Sequence, residues 1–274
     1  LNKIGKLFAE NFPRDEFGRV LFPSDRNIRA LLFPFSDPGE HIAKAHMLMI
    51  KALVEFVSEE GETILDPFAG TGTILVALTI GRPVIMIELE EHYQGIIEQN
   101  INGISRTVPK ADEMAMLIPG DCSKILPLPP GLFNHFIFSP PYGSLLKKKG
   151  DADGKMDKTS TNLGYGSATL YTKHPDNIGN LNDFIYFQKM EKIYKKFYNS
   201  LLVGGTMTII IKDRMEAGKR VKLGDRAERD CLRIGFELVE RNKWFARGGG
   251  YAGINRAHGL ETVDDEDLIT LIKS

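Results

Sequence analysis

Cysteine is nearly absent from this sequence: Cys122 and Cys231 are the only 2 in 274 residues. They are too few for a disulfide framework, and they lack the partner spacing of a zinc site. Both read as small buried side chains. An excess of one charge is missing as well, with 35 Lys and Arg against 36 Asp and Glu for a net charge of -1. Any surface for a polyanion therefore has to be local. Three basic stretches exist, at 147–158, 212–226 and 241–256, the last holding Arg241, Lys243, Arg247 and Arg256 with no acid. The plain reading of any such run is a solvated face. Long hydrophobic runs are lacking too. The longest, Leu201 to Ile211, is too short for a membrane span and contains Gly204-Gly205, so it reads as a buried strand with its preceding turn. No charged, then apolar, then small-residue leader is present, which predicts a cytoplasmic protein without membrane contact. The chain opens at Leu1 rather than Met, which leaves room for residues before it.

What is present is apolar content of 42%, enough for a sizeable core in one domain with elaborations. Short runs rich in Val, Ile and Phe alternate with helical patterns, which predicts the α/β class with a mostly parallel sheet and helices on both faces. Strands are expected at Thr63–Asp66, Val84–Glu88, Ala115–Pro119, His135–Ser139, Thr206–Lys212, Phe236–Lys243 and Leu268–Ile272. Helices fit Ala45–Ser58, Thr73–Ile80, Glu91–Ile101, Phe184–Leu202 and Ala227–Ile234, with Gly235 as a stop after the last. Gly143 to Asp183, rich in Gly, Lys, Asp, Thr and Asn, has almost no apolar periodicity. It reads as a long loop or small inserted lobe, of a length that is usually functional.

Ile64-Leu65-Asp66-Pro67-Phe68-Ala69-Gly70-Thr71-Gly72-Thr73 lies where the first strand ends and a helix begins. Open α/β sheets bind ligands at such crossings. Gly70 and Gly72 let the backbone approach a ligand at the helix start. No Lys follows them, which speaks against a nucleoside triphosphate, and Leu75 stands where a dinucleotide fingerprint wants a third Gly. At the tip of the second strand, Glu88 is suited to accept both hydrogens of a ribose diol. Its plain alternative is a surface charge beside Glu90 and Glu91. Asp121, after the third strand, is suited to an adenine amine, with a helix cap as the competing reading.

The segment Asp66 to Thr73 resembles the cofactor motif of the amino-methyltransferase family that modifies DNA at adenine-N6 or cytosine-N4. Upstream, His41-Ile42-Ala43-Lys44-Ala45-His46 resembles that family's His-Pro-Ala-Lys segment, with Ile42 where the family prefers Pro. The resemblance implies a Rossmann-like class I methyltransferase fold with a seven-stranded sheet. It implies S-adenosylmethionine as cofactor, held by His41, Lys44, Asp66, Phe68, Ala69, Gly70, Gly72, Thr73, Glu88, Asp121 and Cys122. An ordinary charged helix start is the alternative for His41 and Lys44. It also divides the chain into an N-terminal extension, 1–40, packing near the cofactor site, and a methyltransferase domain, 41–274, with a substrate-recognition insertion at 143–183. The likeness runs from Phe35 to Lys273, apart from that insertion.

Phe136-Ile137-Phe138-Ser139-Pro140-Pro141-Tyr142-Gly143 places a polar-Pro-Pro-aromatic turn after the fourth strand. An exocyclic base amine is a poor nucleophile because its lone pair is delocalised into the ring. If the Ser139 hydroxyl and the Pro140 carbonyl accept its two N–H bonds, the nitrogen can pyramidalise and aim that lone pair at the methyl group. Pro140 and Pro141 stiffen the turn in advance, and Tyr142 can stack on a base that has left the duplex. Methylation at cytosine C5 would instead need a cysteine nucleophile after a proline. Neither Cys122 nor Cys231 follows one. Within the resembling family, Ser at the first position goes more often with cytosine-N4, and Asp or Asn with adenine-N6. Cytosine-N4 is therefore favoured by family habit, since Ser, Asn and Asp can all accept the same bond.

DNA is the expected partner, with RNA less so and a cognate restriction enzyme conceivable; oligomeric state is not legible. The substrate surface is expected in the 143–183 insertion, with Lys147, Lys148 and Lys149, and around Trp244 and Arg247, where aromatic and basic residues mix. A packed strand residue is the alternative for Trp244. The competing readings are an RNA methyltransferase acting on guanine-N2 or adenine-N6, a binding subunit that lost catalysis, and, more distantly, a nucleotide-dependent dehydrogenase.

Overall fold

Residues rich in Val, Ile, Phe and Leu favour the pleated, buried surface of a strand, and each of the seven expected runs forms a strand of one sheet. In chain order the strands are β1 (Ile64–Asp66), β2 (Val84–Glu88), β3 (Ala115–Pro119), β4 (Phe133–Phe138), β5 (Leu201–Ile211), β6 (Arg214–Glu216), β7 (Lys219–Val221), β8 (Phe236–Phe245) and β9 (Asp265–Lys273). The computed structural model describes residues 12–33, 45–127, 131–141, 174, 176–216, 219–246, 257–259 and 262–274. Seven strands pair in the order β3-β2-β1-β4-β5-β9-β8, while β6 and β7 make a separate hairpin. Strand β9 runs antiparallel to both its neighbours, and the remaining pairs are parallel. The winding reverses between β1 and β4, so a crevice opens beyond their carboxyl ends.

Alternation along the strands splits the core in two. Ile64, Met86, Ile137, Ile210 and Leu268 face one layer, while Leu65, Ile87, Phe136, Phe138, Ile209, Ile211 and Ile269 face the other. Because both faces are covered, the strands read as continuous apolar runs instead of alternating ones. The helices are α1 (Arg26–Leu32), α2 (Met47–Val57), α3 (Glu91–Ile104), α4 (Ala111–Met114), α5 (Cys122–Ile125), α6 (Asp183–Ser200) and α7 (Leu223–Ile234). Met49 and Leu53 of α2 and Ile97 of α3 join the first layer. Cys122 of α5, Ile193 and Phe197 of α6 and Cys231 of α7 join the second. Asn182 starts α6 by accepting the Ile185 N–H at 3.0 Å. Among the described residues, no helix is long and apolar enough to cross a membrane.

The structure departs from the expected elements where packing overrides pattern. Thr73–Ile80 winds as a 3-10 helix between Gly72 (φ 78) and Gly81 (φ 74). Its residues are buried from Thr73 through Leu78, so close packing on every side, and not an amphipathic period, sets its turn. Strand β5 starts at Leu201, earlier than Thr206, because Leu202 to Gly205 form a bulge: Leu201 pairs with Phe133, and the next pair is Thr206 with His135. A Cβ on Gly205 would sit 2.7 Å from the Asn134 carbonyl oxygen, so only glycine fits there. Strand β9 extends back through Asp265 and Asp267, acids that conceal a strand pattern. Helix α1 and the β6–β7 hairpin carry too little apolar periodicity to be read from sequence.

Candidate cofactor cleft and catalytic turn

The ends of four adjacent strands deliver polar groups to one cleft. Asp66 closes β1, Glu88 closes β2, Asp121 follows β3, and Ser139, Pro140 and Pro141 follow β4; all six line it. Between them runs the Pro67–Thr73 loop, bent by Gly70 (φ 54) and Gly72 (φ 78). Both glycines stand in the left-handed region that side chains rarely adopt. At Gly72 a Cβ would also press on Ile97 and Leu75 at 3.1 and 3.2 Å. Phe68 leaves the loop to pack on Phe138 and Phe197, with ring centroids 5.6 and 6.3 Å away. That contact ties the loop to β4 and α6. Beneath it, the Asn100 side-chain amide donates to the Thr71 carbonyl at 3.2 Å.

Asp66 and Glu88 are buried with no cation paired to them among the described residues. Asp66 is 9% exposed and accepts the Phe68 N–H at 2.9 Å. Burial pushes its pKa up to about 7 against that hydrogen bond, and the Glu88 charge adds to the rise. Glu88 is 7% exposed. Its two oxygens accept N–H groups from Gly70 at 2.6 Å and Glu90 at 2.8 Å. Burial lifts it to about 7 despite these bonds, with the Glu90 carboxylate contributing. Asp121 acts as the helix cap that was its competing reading, and it does so with one oxygen only. Oδ1 caps α5 by accepting the Ser123 N–H at 2.8 Å, while Oδ2 is buried with no hydrogen-bond partner. A buried acceptor in that state calls for a donor. Cys122 beside it also lines the cleft, and burial raises its thiol well above the ordinary range, which speaks against a nucleophile. Among the described residues no cluster of His, Cys, Asp or Glu could hold a metal ion.

Part of the sequence, and the fold, are similar to known proteins. Residues 20–99 match the family model described as DNA methylase. The DNA methylase match spans Asp66, Gly70, Gly72 and Glu88 and stops short of Asp121 and the Ser139 turn. The chain is 34% identical over 74 residues to the Type II methyltransferase M.HindIII of Haemophilus influenzae, covering 27% of this chain and 21% of that protein. It is 30% identical over 92 residues to the putative methylase YubD of Escherichia coli, covering 33% of this chain and 40% of that one. The matched segment thus spans under half the length of either curated relative. A methyltransferase from Pyrococcus furiosus superposes with a TM-score of 0.54 at 13% identity, over 91% of this chain and 94% of its own. The seven-stranded sheet with β9 reversed is the Rossmann-like class I methyltransferase fold.

Sequence reasoning missed part of the cleft. Asp176, Asn177 and Ile178, from the far end of the insertion, line it too. Asn177 donates to Glu90 at 2.9 Å and accepts the Gly179 N–H at 2.9 Å, while Asp176 pairs with Lys124 at 2.6 Å. Strand-end position found the acids on the sheet, but no sequence signal ties Asn177 to Glu90. Ala45, next to the expected His41–Lys44 segment, also lines the cleft.

Other expected contacts fall elsewhere. Trp244 is a packed strand residue: it is 9% exposed, its indole N–H donates to Glu266 at 3.0 Å, and its ring lies against His46 and Phe22. It does not belong to an open substrate surface, because the final turn of β8 is covered by Val20, which pairs with Trp244. Several cations of the basic stretches at 212–226 and 241–256 are paired with acids. Arg241 meets Asp225, Glu228 and Asp267 at 2.8 to 3.0 Å, Lys243 meets Asp265 and Asp267, and Arg220 pairs with Asp213 and Asp265. His41, Lys44, Tyr142, Lys147, Lys148, Lys149 and Arg247 lie outside the described residues.

Proposed function

We propose that this chain is an S-adenosylmethionine-dependent DNA methyltransferase that modifies the exocyclic amine of a flipped base, cytosine-N4 ahead of adenine-N6. One observation carries the reading: the Ser139-Pro140-Pro141 turn lines the same cleft as Asp66, Glu88 and the unpartnered Oδ2 of Asp121. These residues suit the cofactor. A buried carboxylate oxygen without a donor fits an adenine amine, Glu88 fits a ribose diol, and Asp66 fits the amino-acid end. When bound, the cofactor supplies an electrophilic methyl group.

The chain's own residues do the rest. Ser139 and the Pro140 carbonyl accept the two amine N–H bonds, which favours the pyramidal nitrogen reached in the transition state. The two prolines hold these acceptors before the base arrives, so little ordering is left for the reaction. Tyr142 stacks on the extruded base and offsets part of the unstacking cost, about a few kcal/mol. Phe68 and Phe138 wall the cleft against water. Substrate contacts are assigned to the 143–183 insertion, with Lys147, Lys148 and Lys149 on phosphates, and to Arg247. Cytosine-N4 rests on Ser139 and on family habit. A restriction partner is compatible with the Type II relative.

Expression in a methylation-deficient host, followed by mass spectrometry of digested DNA and RNA nucleosides, tests the reading. N4-methylcytosine in DNA is the expected product. N6-methyladenine would move the target base, a methylated RNA amine would move the substrate class, and no modified nucleoside together with no cofactor binding by calorimetry would overturn the proposal.

A further inference from the structure

The cleft is lopsided in charge. Asp66, Glu88, Glu90, Asp121 and Asp176 line it, whereas no Lys or Arg is among the described lining residues. One cation, however, stands directly behind the wall furthest in sequence from Asp121. Arg29 of α1 donates to the Ala45 carbonyl at 2.5 Å and to the Thr73 hydroxyl at 3.3 Å, and both Ala45 and Thr73 line the cleft. Its side chain is largely buried, held by Asp25 at 2.9 Å. Asp25 is fixed in turn by the Met47 N–H at 2.8 Å, at the start of α2. Three bonds leave two of the five guanidinium N–H groups, at Nε and Nη1, without an acceptor among the described residues.

A guanidinium is planar, permanently charged and suited to a carboxylate in forked geometry. Resting on the S-adenosylmethionine reading above, we propose that Arg29 binds the α-carboxylate of the cofactor's amino-acid moiety at the Ala45–Thr73 end of the cleft. The two ends then divide the ligand, with Glu88 and Asp121 for the adenosine hydroxyls and amine, and Asp66 and Arg29 for the amino-acid end. This role also accounts for burying an arginine of a short helix against the glycine loop, where a surface residue would serve equally well for packing.

S-adenosylhomocysteine and 5′-methylthioadenosine both carry an uncharged sulfur and an adenosine, and only the first carries the amino acid. Titration calorimetry on the whole chain should show Arg29→Gln binding S-adenosylhomocysteine at least tenfold more weakly, with 5′-methylthioadenosine affinity within twofold of the unsubstituted protein. Equal weakening of both ligands, or of neither, overturns the proposal. Should Arg29→Gln fail to fold, the unsubstituted protein decides: it should prefer S-adenosylhomocysteine over its carboxamide by tenfold or more, and indifference overturns the proposal. If the unsubstituted protein binds neither nucleoside, the cofactor reading itself fails, an outcome distinct from failure of Arg29 alone.

Discussion

The two ends of the sheet treat buried acids in opposite ways. At β1, β2 and β3, Asp66 and Glu88 are hidden from water with only backbone N–H groups as partners, and their pKa values rise to about 7. At β8 and β9, Asp267 is 1% exposed and Asp265 is nearly as buried, yet Arg241, Lys243 and Arg220 surround them. Asp265 and Asp225 are held below the ordinary carboxylate range, Asp265 against its own burial by Arg220 and Lys243, and Asp225 first by Arg241. The β8–β9 half thus pairs Asp265 and Asp267 with cations, while the other half leaves Asp121 Oδ2 without a donor among the described residues. The difference supports the proposed cofactor site, since a buried carboxylate oxygen without a partner, as at Asp121, is costly unless something binds it.

That contrast can be broken from either side. In the cleft, Ser139→Ala should lower methyl transfer about 10²-fold or more, the cost of removing one acceptor aimed at the transition state, with cofactor affinity within about twofold. Full activity in single-turnover assays would remove Ser139 from the catalytic turn. At the opposite end, Arg241→Ala leaves Asp267 short of its forked partner and should destabilise the fold by about 3 kcal/mol in urea melts. Cofactor affinity should stay level. A variant as stable as the parent would show the ion-pair cluster to be ornamental.

Glu88→Gln exchanges a charged acceptor for a neutral one and should weaken cofactor binding about tenfold, read by calorimetry; unaltered affinity would make Glu88 a loop brace only. pH gives a separate handle. Asp66 and Glu88 keep their protons in the folded state up to about 7, whereas an unfolded chain releases them near 4. The ligand-free protein should therefore lose stability as pH rises from about 4 to 7. Asp225 and Asp265 act with the opposite sign, contributing above about 4 and losing that contribution as pH falls through their depressed values. Thermal melts across this range, with Glu88→Gln removing one share of the upper slope, would reveal it. A flat profile between pH 4 and 7 would contradict the uncompensated burial of the two acids.

Much of the cleft was legible because strand ends, glycines and prolines leave local marks. Asp66-Pro67-Phe68-Ala69-Gly70-Thr71-Gly72-Thr73 predicts its own bend, and Ser139-Pro140-Pro141 its own turn, through backbone chemistry that needs no distant partner. Trp244 was ambiguous because an aromatic beside basic residues looks the same in sequence whether it faces a nucleic acid or, as here, Glu266 and His46. The basic stretches were ambiguous for a related reason: Arg220 and Arg241 find acids 45 and 26 positions away.

The sequence by itself determined the seven strands, the glycine loop and the order in which acids reach the strand ends, because periodicity and turn chemistry are local properties. Only the tertiary structure decided which acids have partners. It left Asp121 Oδ2 bare, tied Asn177 to Glu90 and set Arg29 behind Thr73, since pairing depends on what the folded chain brings within hydrogen-bond distance.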